Sequence, residues 1–237
     1  MKPASGYVSG RDRLLKLGEL GPFFEGKHAM QVFDWNSKTA AQYMYLWSRQ
    51  GLVSPLGGKS DIYFNLVADR RATEHFEAAV RRVMPGAIVG APNVLHAAGL
   101  TTQRSGVIQL LARSDERKLS IVDAEIETRP PRWWRALDAS AGFDPGTETT
   151  LARLKPGAAI ADSALSAGGF APDDIDFDAA QPADRRLALK VLGQLSLAQC
   201  KADTLREAYT RAWLAEVSAR IPDEGPALTA KVTRRGR

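Results

Sequence analysis

Six polar or cationic side chains that suit the reading of duplex DNA fall in one short stretch: Ser37, Lys38, Thr39, Gln42, Tyr43 and Arg49. Glutamine can pair with an adenine edge, and a hydroxyl can reach several bases. Lys38, Arg49 and, further on, Lys59 suit phosphate contacts, which supply affinity without sequence choice. The spacing predicts a helix. Ala40, Met44 and Trp47 recur at intervals of four and three and define an apolar face, which leaves Lys38, Thr39, Gln42, Tyr45 and Arg49 largely on other faces. Ser37 is expected to cap this helix through its hydroxyl, and Gly51 to close it. Of Tyr43 and Tyr45, at least one is expected to pack rather than read bases.

A second group could do different chemistry. Asp123, Glu125 and Glu127 alternate along one segment, so on a strand they share a face and could hold Mg²⁺ for a metal-dependent nuclease. Such an enzyme also wants a lysine for its nucleophilic water. The segment offers Arg129, which stays protonated and serves poorly as a base. A solvated sheet face is the plainer reading. Trp133 and Trp134, flanked by Arg129, Arg132 and Arg135, either stack on bases or close the edge of a core. His28, His75, His96 and Cys200 stand apart from one another, so no metal site is expected, and no cofactor motif is present. Gly57-Gly58-Lys59-Ser60 echoes the end of a phosphate loop but lacks the upstream glycine and a following helix, and reads as a turn. The expectation is a protein that is not an enzyme.

The elements that must position these residues follow from periodicity. Leu14, Leu15, Leu17 and Leu20 predict a first helix that Gly21-Pro22 ends. A short second helix spans about 28–33, and the third begins near Ser37. Leu52-Val53-Ser54 and Ile62–Val67 predict a two-stranded ribbon turning at residues 57–60. Three short helices followed by a ribbon is the order of a winged helix-turn-helix, whose third helix enters the major groove. Asp69-Arg70-Arg71 is taken as the boundary between a DNA-binding domain (1–70) and an α/β domain (71–237).

In that second part, helices are expected over 72–83 and 93–98. Strands are expected over 106–112 and 119–128, with a turn at 114–117 between them. Residues 141–182 mix short helical pieces with loops and carry an acidic run, Asp173, Asp174, Asp176 and Asp178. Helices over about 183–199 and 203–221 would pair as an antiparallel hairpin. A basic tail follows from about residue 222. The expected class is thus α+β: a winged helix-turn-helix, then a mixed α/β domain ending in a helical hairpin.

Composition narrows the partners. The 237 residues carry a formal charge of +5 and a pI near 9.4, a moderate bias toward an anionic partner. No stretch approaches the roughly 20 apolar residues a membrane span needs. The opening residues lack an apolar signal core, and there is a single cysteine; a cytoplasmic location is expected. Palindromic operators favour two-fold proteins, so a homodimer on double-stranded DNA is the expected form.

Two longer segments, Asp61-Ile62-Tyr63-Phe64-Asn65-Leu66 and the run Asn93 to Gln103 with its Gly99-Leu100-Thr101-Thr102-Gln103 step, resemble the AbiEi antitoxins. The stretch Lys38–Tyr43 through Trp47, then Gln50-Gly51-Leu52-Val53, is similar to the third helix and wing entry of many winged regulators. The resemblance covers about residues 11–125. It implies a type IV antitoxin that represses its own promoter at inverted repeats and opposes a nucleotidyltransferase-like toxin without a stable complex. For the Gly99–Gln103 step, a helix end leading into a strand is the plain reading and nucleic-acid contact the other. Two alternatives stand beside the repressor: a nuclease targeted by the winged domain, and a ligand-sensing regulator, for which no ligand-selective motif speaks.

Overall fold

A computed structural model describes residues 9–114, 119–163 and 170–194, together with Ala215 and Ala219. Its described residues form a mixed α+β fold.

The first helix, α1 (Gly10–Gly18), starts where the Ser9 hydroxyl accepts from the Asp12 amide, and it buries only Leu17. Strand β1 (Phe23–Glu25) leads directly into α2 (Gly26–Phe33), which Asp34 ends in a left-handed conformation. Helix α3 (Ser37–Arg49) follows. Strands β2 (Val53–Pro55) and β4 (Ile62–Asn65) then pair antiparallel, with the two-residue strand β3 (Gly57–Gly58) between them. The expected two-stranded ribbon is therefore a three-stranded antiparallel sheet in the order β1-β4-β2, because Phe23–Glu25 adds to the free edge of β4. Leu17, Phe24, Ala29, Phe33, Met44, Trp47 and Val53 form the core of this part.

The larger core is built on a five-stranded mixed sheet, ordered β8-β6-β5-β10-β9. Its strands are β5 (Ile88–Val89), β6 (Ile108–Arg113), β8 (Ala124–Arg129), β9 (Phe143–Asp144) and β10 (Ala152–Leu154). Around it lie α4 (Phe76–Val83, entered through a 3₁₀ turn), α5 (Ala91–Ala97), α6 (Pro131–Ser140), α7 (Pro156–Ser163) and α8 (Pro182–Gln194). Helix α7 is buried along Gly157–Ser163 and packs on α5 and α8. Its alanines and glycine permit that approach: a β-carbon on Gly157 would overlap the carbonyl of Asp184. The second helix of the expected C-terminal hairpin and the basic tail lie almost entirely outside the described residues.

Two expectations about the strands need correction. The segment 119–128 is not one strand: it breaks at Val122-Asp123 into β7 (Ser120–Ile121) and β8. Nor do 106–112 and 119–128 form a hairpin. Strands β6 and β8 run parallel, from Ile108↔Ala124 to Arg113↔Arg129, because the chain between them crosses back by way of the N-terminal part. There β7 pairs antiparallel with β3, Gly57↔Ile121 and Gly58↔Ser120, and the Val122 amide donates to the Leu56 carbonyl at 2.9 Å. The larger core also reaches into the N-terminal part. Leu56, Ile62 and Phe64 belong to the same buried cluster as the five-stranded sheet.

Candidate nucleic-acid interface

Helix α3 is capped by Asn36, not by Ser37 as the sequence suggested. The Asn36 side-chain oxygen accepts from the Thr39 amide at 2.9 Å, the geometry of a capping residue, and Ser37 becomes the first helical residue. The buried face is the expected one: Ala40, Met44 and Trp47 are 4–6% exposed.

Opposite it, Lys38, Ala41, Gln42, Tyr45, Leu46 and Arg49 are all exposed. Their spacings of three and four put them in one stripe along the helix. Lys38, Gln42 and Arg49, three of the sequence-predicted residues, thus lie together on the open face. Ser37 is exposed on its flank, and Thr39 is half-buried. Lys59 is exposed at the turn before β4, with a left-handed φ of 64°. Ala41, Tyr45 and Leu46 were not among the candidate residues, although the same helical spacing from Lys38 identifies them. Tyr45 at 63% and Leu46 at 49% are among the most exposed large apolar side chains described.

Tyr43 is placed differently. Its ring stacks on Trp35, with centroids 4.3 Å apart and planes 8° from parallel, and Trp35 in turn stacks on Phe33. The guanidinium of Arg13 lies 4.9 Å from the Tyr43 centroid and donates to its hydroxyl at 2.5 Å. Tyr43 therefore belongs to the aromatic support under α3 and ties α1 to it. Of the two tyrosines, it is the one that packs.

The glycines of the predicted wing turn are also committed. A β-carbon on Gly57 would overlap the Ser120 carbonyl oxygen, so this glycine serves close approach to β7 rather than to a phosphate.

The carboxylate strand is partly absorbed by the fold. Asp123 precedes β8 in a left-handed turn, and Glu125 is exposed. Glu127 pairs with Arg129 at 2.7 Å and accepts from the Gln109 amide at 3.0 Å. Arg129 is 3% exposed and donates to both oxygens of Asp162, which is wholly buried, at 2.7 and 2.9 Å. Burial works against the Arg129 charge, but Asp162 and Glu127 outweigh it and hold the guanidinium pKa above its ordinary value. That arginine cannot act as a base. Among the described residues no group of three or more His, Cys, Asp or Glu side chains is placed to hold a metal ion.

Trp133 and Trp134 are buried at 2% and 4% and meet edge to face at 4.9 Å. The Trp134 indole N–H donates to the Arg129 carbonyl, so the pair closes a core. In the Gly99–Gln103 step, Gly99 adopts φ 71° after α5, and the Gln103 amide donates to Asp174 at 2.7 Å. That hydrogen bond is internal to the chain.

No protein-family model and no curated protein matches this sequence. Among the described residues no helix is long and apolar enough to cross a membrane.

Proposed function

We propose that this protein is a DNA-binding transcriptional repressor that inserts α3 of an N-terminal winged helix-turn-helix into the major groove. The observation that carries this reading is the α3 stripe: two cations, an amide and a phenol held outward on a helix whose opposite side is anchored by Met44, Trp47 and the Trp35–Tyr43 stack. In this reading Lys38 and Arg49 take phosphates and Gln42 and Tyr45 meet base edges, while Lys59 at the β2–β4 hairpin reaches the adjoining backbone. The pairing of that hairpin with β7 holds its tip against the α/β part. A two-fold arrangement on an inverted repeat would present two such helices.

The resemblance to AbiEi antitoxins adds the proposal that the chain regulates its own promoter and opposes a nucleotidyltransferase-like toxin without binding it stably. The test of DNA binding is fluorescence anisotropy with the duplex upstream of its own gene, at low and moderate salt. The expected result is saturable binding that is tighter than to an unrelated duplex. No binding to either duplex at low salt would refute it. For the antitoxin role, co-expression with the product of the adjacent gene is decisive: relief of growth arrest supports it, and unrelieved arrest refutes it.

A further inference from the structure

Between the β2–β4 hairpin and the α/β part lies a cavity of about 410 Å³, within the size range of small-molecule sites. Its walls come from both of these parts. Leu56 and Phe64 enter from the β2–β4 hairpin and Phe76 from α4. Leu56 and Phe64 are buried and Phe76 is half-buried, so they form an apolar floor. The charged groups stand at the rim: Arg104 on the loop before β6, His96 on α5, and Asp123 in the turn between β7 and β8, all exposed. No hydrogen bond or ion pair among the described residues engages these three side chains.

The wall carrying Arg104 is braced. The Asn93 amide donates to the Val107 carbonyl at 3.2 Å, while its oxygen accepts from the Gln109 amide at 2.7 Å. The Ser105 hydroxyl donates to the same Val107 carbonyl at 2.6 Å. The rim also exposes two apolar side chains, Val107 at 38% and Val122 at 54%. The site is therefore preformed, oily below, and charged with both signs above.

We infer that this cavity binds a small zwitterion with an apolar side chain, an aromatic or branched amino acid. Its side chain enters toward Phe64 and Phe76, Arg104 takes the carboxylate as a charge-assisted pair, and Asp123 takes the ammonium. A purely anionic ligand would meet Asp123 without compensation, and a neutral one would leave both rim charges unpaired while covering them. The cavity walls belong to the hairpin and to the α/β part together, so occupancy would add contacts across a junction already joined by the β3–β7 pair. Binding itself is a property of the free protein and does not rest on the DNA reading.

Isothermal calorimetry on the full chain, without DNA, tests it with four probes: L-phenylalanine, L-leucine, N-acetyl-L-phenylalanine amide and benzoate. Saturable binding of an amino acid is expected, weakened at least about tenfold when both charges are blocked or when only the anion is kept. Arg104→Gln and Asp123→Asn, both at exposed positions, are each expected to weaken binding about tenfold without shifting the melting temperature. Asparagine is chosen because it tolerates the left-handed backbone at position 123. Failure of both amino acids to bind at millimolar concentration overturns the inference. So does equal or tighter binding of the blocked amide or of benzoate, or a loss in only one of the two variants. The wild-type probe series decides the question even if a variant fails to fold.

Discussion

The indole of Trp35 and the ring of Tyr43 lie face to face, 4.3 Å apart and 8° from parallel. Trp35 sits in the turn between α2 and α3, and Tyr43 sits on α3 itself, so the stack fixes the direction in which α3 leaves the turn. Arg13 reaches across from α1 to the Tyr43 hydroxyl and completes a three-helix clamp.

Tyr43→Phe keeps the stack and removes only the Arg13 hydrogen bond. It should cost about 1 kcal/mol in urea denaturation and leave affinity for the upstream duplex within about twofold, under 0.5 kcal/mol. Tyr43→Ala removes the ring as well and should cost about 2–3 kcal/mol. A large loss of DNA affinity in a fully folded Tyr43→Phe variant would show instead that the hydroxyl faces the nucleic acid.

Gly57 and Gly58 are neighbours with opposite tolerance. At Gly57 a β-carbon would collide with the Ser120 backbone, whereas at Gly58 its nearest neighbour would be the Ser120 β-carbon at an ordinary 3.8 Å. Gly57→Ala should therefore destabilise by about 2 kcal/mol or more, through loss of the β3–β7 pairing. Gly58→Ala should stay within about 0.5 kcal/mol. Equal melting temperatures for the two variants would mean that β7 does not hold the hairpin.

That contrast also shows what the amino-acid order can and cannot express. The α3 face was legible because a thirteen-residue helix repeats its spacing several times. The cap was misplaced by one residue because Asn36 and Ser37 are both good capping types, and only the geometry at Thr39 chooses between them. Strand β1 has three residues, Phe-Phe-Glu, too few for alternation to register. The β3–β7 pair joins segments more than sixty positions apart through two glycines, and neither segment carries a local pattern that names its partner. The parallel course of β6 and β8 was hidden for the same reason: a ten-residue connection suggests a hairpin unless something outside it draws the chain back. The cavity rim was unreadable in advance because Arg104, His96 and Asp123 come from three separate segments.

The buried pair of Arg129 and Asp162 makes a third stability test. Asp162→Ala leaves the guanidinium with Glu127 alone and should cost about 3 kcal/mol or more. Replacing both partners with apolar residues, Arg129→Met with Asp162→Leu, should recover most of that loss, because the double change leaves no uncompensated charge in the interior. A double variant no more stable than Asp162→Ala would show that the pair contributes through shape or hydrogen bonding that apolar groups cannot replace.

Glu25 joins the two cores by a route that pH can interrogate. Its carboxylate, at the end of β1, meets Lys27 and accepts from Arg82 of α4 at 2.8 Å. The side-chain hydrogen bonds from Lys27 and then Arg82 hold its pKa below the ordinary carboxylate value. A carboxyl whose folded-state pKa is depressed contributes stability above its unfolded pKa and loses it as pH falls through the folded one. Glu25→Gln should thus cost up to about 1 kcal/mol at neutral pH and nothing once the carboxylate is protonated. A cost independent of pH would assign the effect to packing.

In the proposed repressor, the α3 stripe would separate affinity from sequence choice. If Lys38 takes a phosphate, as proposed, Lys38→Ala should weaken binding to the upstream duplex and to an unrelated one alike, and the salt slope should flatten by about one unit. Gln42→Ala removes the side chain proposed to meet a base edge. It should cost about 1–3 kcal/mol on the upstream duplex and little on the unrelated one, which lowers specificity while leaving the salt slope alone. Tyr45→Ala, at the most exposed aromatic of the stripe, should follow Gln42 if its ring lies in the groove and should leave both affinities intact if it does not. All three side chains project from the exposed face, so their removal leaves the core beneath α3 unchanged, and stability serves as the internal control. Affinities unaltered in all three variants would place the DNA contact, if any, away from this helix.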